Sequence, residues 1–227
     1  MTSATEPALS GRELELQSTV AGHAAFDLVV KRSRFVTSLT HVASMDEAEA
    51  TIAEARRDRW DARHHCVALV VGPHAEIARS TDDGEPAGTA GMPMAEVLRR
   101  HELTDVVAVV ARYFGGVLLG TGGLARAYGA AVEGAVSAAQ VVRRRLVDRV
   151  TVCSPHESAG RTEHFLRDWS TAHEAVVVGV TYTGTAVLEM LVPPDVRARL
   201  DSDLASFSAG RLTTETVGPE IMDVPTQ

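Results

Sequence analysis

The sequence is poor in cysteine, in aromatic side chains and in lysine. Its two cysteines, Cys66 and Cys153, lie far apart and in no paired spacing. That excludes a disulfide framework and any Cys-x-x-Cys motif, and the expectation is two reduced thiols in a cytoplasmic protein. Aromatic residues make up 4% of 227, so the core must be built from Ala, Val and Leu. Lys31 is the sole lysine, which leaves none for a phosphate-binding loop. No run of about 18 apolar residues occurs, which argues against a helical membrane span. Met1 to Glu13 has no apolar stretch behind a basic start, so no secretory leader is expected. Gly-x-Ser-x-Gly, His-Glu-x-x-His and Cys-x-x-Cys are all absent, so hydrolase and zinc-enzyme templates find no support. An excess of positive charge is missing too. With 22 basic and 30 acidic residues the net charge is −8, unlike basic-tailed nucleic-acid binders or polybasic membrane anchors.

What is present is an ordinary globular composition, 45% hydrophobic and 23% charged, in a chain long enough for two domains. The charge is uneven. Residues 1–146 carry 16 basic and 18 acidic side chains, whereas residues 147–227 carry 6 and 12. Two units with different surfaces are therefore expected, divided near Arg143–Arg145.

Residues 1–12 read as frayed. Glu13 to Val42 alternates and predicts two or three strands, broken near Ala21–Gly22 and Lys31–Arg34. Ser44 and Glu47 form a capping box for a helix running to about Arg57. Cys66–Val71 reads as a buried strand, with Ala75–Ser80 as its hairpin partner. A polar loop, Thr81–Gly91, precedes a helix over Met94–Arg100. Asp105–Ala111 is apolar throughout, as expected of a strand covered on both faces. The glycine-rich loop Gly115–Gly123 follows, then a helix from Leu124 to Val142 with Leu124, Tyr128, Ala131, Ala135 and Ala139 on one stripe. Beyond the arginines the order is strand 146–153, helix 156–169, strand 174–182, strand 186–192, helix 194–207 and strand 211–217. That is the split β-α-β-β-α-β pattern.

Three segments carry chemical possibilities. In the first, Arg112 to Arg126, a buried strand feeds a glycine loop that opens onto a helix. Unpaired N–H groups and the helix dipole at such a start suit a phosphate or carboxylate. Gly115, Gly116, Gly122 and Gly123 would let the backbone approach, Thr121 could add a hydroxyl, and Arg112 and Arg126 could add charge, with Tyr113 beside them. The glycines can equally serve a tight crossover against the sheet. Walker spacing fails because Thr121 and Gly122 stand where Lys and Ser/Thr are required, and a dinucleotide loop fails because no acidic strand end follows.

The second segment, Ser80 to Gly91, holds Asp82, Asp83 and Glu85. These could be proton carriers, a metal site or a docking patch, or could cap turns and the next helix. The third, Asp61 to Cys66, holds His64 and His65, which point to opposite faces if extended. A His with Asp82 or Glu85 is a zinc candidate. Cys66 reads as a small core side chain. The clusters Arg56, Arg57, Arg59, Arg63 and Arg143–Arg145 read as solvated surface or as a modest phosphate-contacting face on the first domain, with no stacking aromatics beyond isolated Trp60 and Tyr113.

Lys31-Arg-Ser-Arg-Phe35, Asp61-Ala-Arg-His-His-Cys66, Asp82-Asp-Gly-Glu-Pro-Ala-Gly-Thr-Ala-Gly91 and the run from Arg112 to Tyr128 occur in order. Together they resemble the IMPACT family in its bacterial branch, from about residue 15 to 218. The resemblance implies an α+β protein with a ribosomal protein S5 domain-2-like domain over 13–143. It implies a ferredoxin-like domain, like the C-terminal part of elongation factor G, over 146–219. It also implies a link to the regulation of translational initiation, with a protein, ribosome or RNA partner.

The expectation is a non-enzymatic binding protein without cofactor, metal or membrane. A phosphate-like anion would sit at residues 115–123, and His64, His65, Asp82, Asp83 and Glu85 would complete the rim. The alternative is an enzyme on a small substrate, using His65 with Asp82, Asp83 or Glu85. Sequence leaves the partner and the oligomeric state open.

Overall fold

The computed structural model describes residues 16–225. The frayed start expected over residues 1–12, and a strand opening at Glu13, lie outside them. The chain divides into two compact units between Val141 and Val142.

The first unit contains β1 (Thr19–Val20), β2 (His23–Val30), β3 (Ser33–His41), α1 (Met45–Asp58), β4 (His64–Val71), β5 (Ile77–Thr81), α2 (Gly91–Arg100), β6 (Val106–Tyr113) and α3 (Thr121–Ala138). Its sheet runs β2-β3-β6-β4-β5 with every pair antiparallel. The apolar run in β6 is central because both its faces are covered. Val106, Ala108 and Val110 pack with α2 and α3, while Val107 and Val109 pack with α1. Strand β4 divides in the same way, with Cys66, Ala68 and Val70 on one side and Val67, Leu69 and Val71 on the other. With so few aromatics, helix and sheet meet through small residues. A Cβ at Gly134 of α3 would lie 2.2 Å from the Phe26 ring of β2, so the ring occupies the space glycine leaves.

The capping box of α1 forms, with Ser44 Oγ accepting from the Glu47 N–H at 3.2 Å. The Glu47 carboxylate reaches one residue further back than the motif requires, to the Ala43 N–H at 2.7 Å.

Several boundaries move for tertiary reasons. Strand β4 starts at His64 because His64 and His65 pair with Arg112 and Ala111 of β6. Helix α2 starts at Gly91, three residues early, because Asp82 supplies a cap from a distance. Helix α3 starts at Thr121 and ends at Ala138, so Thr121, Gly122 and Gly123 form its first turn instead of a loop.

The second unit contains β7 (Val141–Ser154), α4 (His156–Ala172), β8 (Val176–Tyr182), β9 (Ala186–Val192), a short 3-10 turn (Pro194–Val196), α5 (Arg197–Ser208) and β10 (Thr214–Pro225). The β-α-β-β-α-β order is present, with strands side by side as β10-β7-β9-β8. Val150, Val152, Leu188 and Met190 form a core with Leu166, Trp169, Leu200 and Leu204 of the two helices. Arg143–Arg145 are part of β7, paired with Val224, Asp223 and Met222 of β10, and so form no linker. Among the described residues no helix is long and apolar enough to cross a membrane.

Candidate functional site

The three carboxylates of the loop between β5 and α2 have separate partners. Asp82 accepts N–H bonds from Gly88 (2.8 Å), Ala90 (2.9 Å) and Gly91 (2.8 Å). Burial pushes its carboxyl pKa up, but the three backbone donors outweigh burial and hold it below the ordinary range. Asp83, with φ +44°, accepts from the His65 N–H at 2.7 Å and from the Arg56 guanidinium at 3.0 Å. Glu85 is buried and accepts from Arg112 at 2.6 Å and from the Tyr128 hydroxyl at 2.8 Å.

Alternation along β4 and β6 separates the other candidates by sheet face. His64 lies on the loop's side, donating from Nδ1 to the Asp83 carbonyl at 2.8 Å. His65 turns toward α1, donating from Nε2 to the Arg59 carbonyl at 2.9 Å. Tyr113 also lies on that far side and donates to Asp61 at 3.0 Å. The expectation that His64 and His65 share a rim with the acidic loop is corrected for His65. One residue of alternation puts its ring across the sheet.

Arg112 is also corrected. It does not add charge to the glycine loop. Its side chain, 7% exposed, points into the unit, pairing with Glu85, donating to Ser33 Oγ at 3.3 Å and lying against the Phe35 ring. Ser33 Oγ also accepts the Gly115 N–H at 3.3 Å. A buried chain of polar contacts thus runs Tyr128–Glu85–Arg112–Ser33–Gly115 and props the loop from below.

The remaining reactive group, Cys66, donates to the Asp82 carbonyl at 3.0 Å. Burial pushes its thiol up to about 12, far from a nucleophile at neutral pH. Burial likewise raises the Tyr128 hydroxyl. Among the described residues no three His, Cys, Asp or Glu side chains gather into a metal-holding group. The arrangement therefore offers no base beside a nucleophile and no free acid pair. What it does is hold a loop.

That loop, Phe114–Gly120, and the first turn of α3 face solvent. Gly120 enters with φ +71°, the first intrahelical bond runs from the Leu124 N–H to the Gly120 carbonyl at 2.9 Å, and no side chain caps the end. The N–H groups of Thr121, Gly122 and Gly123 precede that bond. The Arg126 guanidinium folds back over the turn, 3.5 Å from where a Gly122 Cβ would stand.

Two cations that sequence reasoning left out of the site arrive from β2 and β3. Val30 pairs with Ser33, so Lys31 and Arg32 form a two-residue turn, with φ +45° and +67°. Both occupy the left-handed region normally filled by Asn-Gly. The turn rests on the glycine loop, since a Gly115 Cβ would come within 2.1 Å of the Arg32 backbone. Lys31, Arg32 and Arg126 have no ion-pair partner among the described residues. The available signal was the sole lysine standing beside an arginine at a strand break.

Known proteins resemble this chain over much of its length. The model for the Impact N-terminal domain matches residues 31–136, from the Lys31 turn to the last turns of α3. The chain is 37% identical over 186 residues to IMPACT family member YigZ of Escherichia coli K12, spanning 81% of this chain and 89% of that protein. It is 41% identical over 150 residues to IMPACT family member YvyE of Bacillus subtilis 168, spanning 66% and 69%. A crystal structure of a hypothetical protein, 33% identical, superposes with a TM-score of 0.61 over 90% of this chain and 98% of that one.

Proposed function

The chain belongs to the IMPACT family, and on that premise we propose that it acts by binding and not by catalysis, in a role linked to translation. The carrying observation is the solvent-facing start of α3, uncapped and flanked by Lys31 and Arg126, with the Arg32 backbone against Gly115. Such a site takes an anionic group of a partner, whether a ribosomal phosphate or a protein carboxylate. The family's expected architecture, S5 domain-2-like followed by ferredoxin-like, belongs to this reading. The order β10-β7-β9-β8 supports its second half. The occupied carboxylates of the acidic loop weigh against the enzyme alternative. So does His65, whose ring lies across the sheet from Glu85 and whose Nε2 is bonded to a carbonyl.

The test is co-sedimentation with ribosomes and with post-ribosomal protein complexes at low salt. Retention should fall at least tenfold in the Lys31→Ala, Arg126→Ala double variant and stay unchanged in Arg79→Ala, which lies on β5. Absent retention, or retention indifferent to the double change, overturns the reading.

A further inference from the structure

Strand β2 is an edge of its sheet, paired only with β3 among the described residues. The two-residue turn makes Val30–Ser33 a bonded pair, so bonding to β3 falls on Val30, Leu28 and Phe26. Ala25, Asp27 and Val29 therefore turn their N–H and C=O groups outward. Beside this edge, between β2 and α3, is an open cleft of about 320 Å³. Its walls are aliphatic, Leu28 and Val30 from β2 with Leu119 and Ala130 from the other side, and its rim carries Lys31 and Arg126.

From this juxtaposition we infer that β2 is a docking edge for an extended acidic, aliphatic segment of a partner protein, which adds as a further strand. The claim names the partner of the site described above and rests on that reading. Three observations select this occupant. The outward backbone groups of β2 form a row that an extended chain can pair with. The cleft takes alternate aliphatic side chains at strand spacing. The two rim cations have no carboxylate partner among the described residues, and no acidic side chain among those residues lines the cleft. Nucleic acid fits less well, because the cleft offers no aromatic ring for a base to stack on and the molecule carries net charge −8.

The probe is a short fluorescein-labelled peptide that alternates valine with serine and ends in two glutamates, one of which must share the valines' face, titrated against the full chain. Amide hydrogen exchange is read in parallel. Binding should protect Ala25, Asp27 and Val29, and should weaken at least tenfold when lysine replaces glutamate in the peptide. Arg126→Glu should weaken it at least tenfold. Val29→Pro, which removes an outward N–H and no bond to β3, should do the same with the melting curve otherwise retained. Ala130→Trp, filling the cleft from an exposed position, gives a second block that leaves the backbone intact.

Equal binding of the lysine peptide, or indifference to all three variants, overturns the inference. Oligouridylate competing at the same site overturns it in favour of RNA. Concentration-dependent dimers abolished by Val29→Pro overturn it in favour of a second copy. If the peptide fails while ribosome retention still depends on Lys31 and Arg126, the docking edge falls and the binding function stands. If both fail, both fall.

Discussion

Asp82 illustrates how one side chain can organise a segment that looks catalytic. Its three N–H bonds start α2 and close the loop that carries Glu85. Asp82→Ala should cost about 1–2 kcal/mol, the value of a lost helix cap. In the folded chain this carboxyl titrates below its ordinary pKa. Its contribution is therefore complete above the unfolded value, about 3.9, and is lost as pH falls through the lower folded value. Urea midpoints measured from pH 6 down to pH 2 should converge for wild type and Asp82→Ala at the acid end. The Glu85–Arg112 pair behaves differently because both ends are buried. Arg112→Ala leaves a carboxylate without its cation and should cost about 3–5 kcal/mol, whereas Arg112→Met with Glu85→Leu should recover most of it. Equilibrium denaturation of the two singles and the double checks the coupling.

The β2–β3 hairpin is an element whose local chemistry conflicts with its shape. Lys31 and Arg32 sit in the left-handed region at a cost of roughly 1–2 kcal/mol each. Replacing them with Asn and Gly should raise thermal stability and at the same time reduce ribosome retention, and both readouts are available from one variant. A more stable variant that also binds unchanged would show that the turn's cations do nothing. Helix α3 sets the second limit. Gly134→Ala drives a methyl into the Phe26 ring and should cost about 1–3 kcal/mol as an overpacked contact. Adding Phe26→Leu should restore part of it. Most elements were readable from pattern. Periodicity and Ser44–Glu47 located α1, and the unbroken apolar run located β6. The starts of α2 and α3 were not readable, because one is capped from nine residues away by Asp82 and the other has no capping side chain at all.

At the level of the molecule, net charge −8 sets the partner's chemistry. A chain this acidic binds anions only where cations are gathered and unneutralised. Among the described residues two such groups, Lys31 and Arg126, stand at the first turn of α3, and Arg32 follows in the turn against Gly115. If the partner is RNA, no more than about three phosphates are neutralised there, so the salt slope of log affinity should be no steeper than about −3. Retention measured from 50 to 200 mM salt checks this, and a steeper slope would require a further basic face. The arginines that looked like such a face are partly neutralised. Arg56 pairs with Asp83, and Arg145 with Glu174 and Asp195.

The order of strands and helices, the core-facing residues and the family could all be read along the chain. Each depends on local spacing, on side-chain alternation or on runs of identical words. The site needed coordinates. Whether Arg112 faces solvent or Glu85, whether His65 joins His64 or crosses the sheet, and whether Lys31 meets Arg126 depend on which strands become neighbours. That is a property of long-range pairing, and no window of sequence contains it.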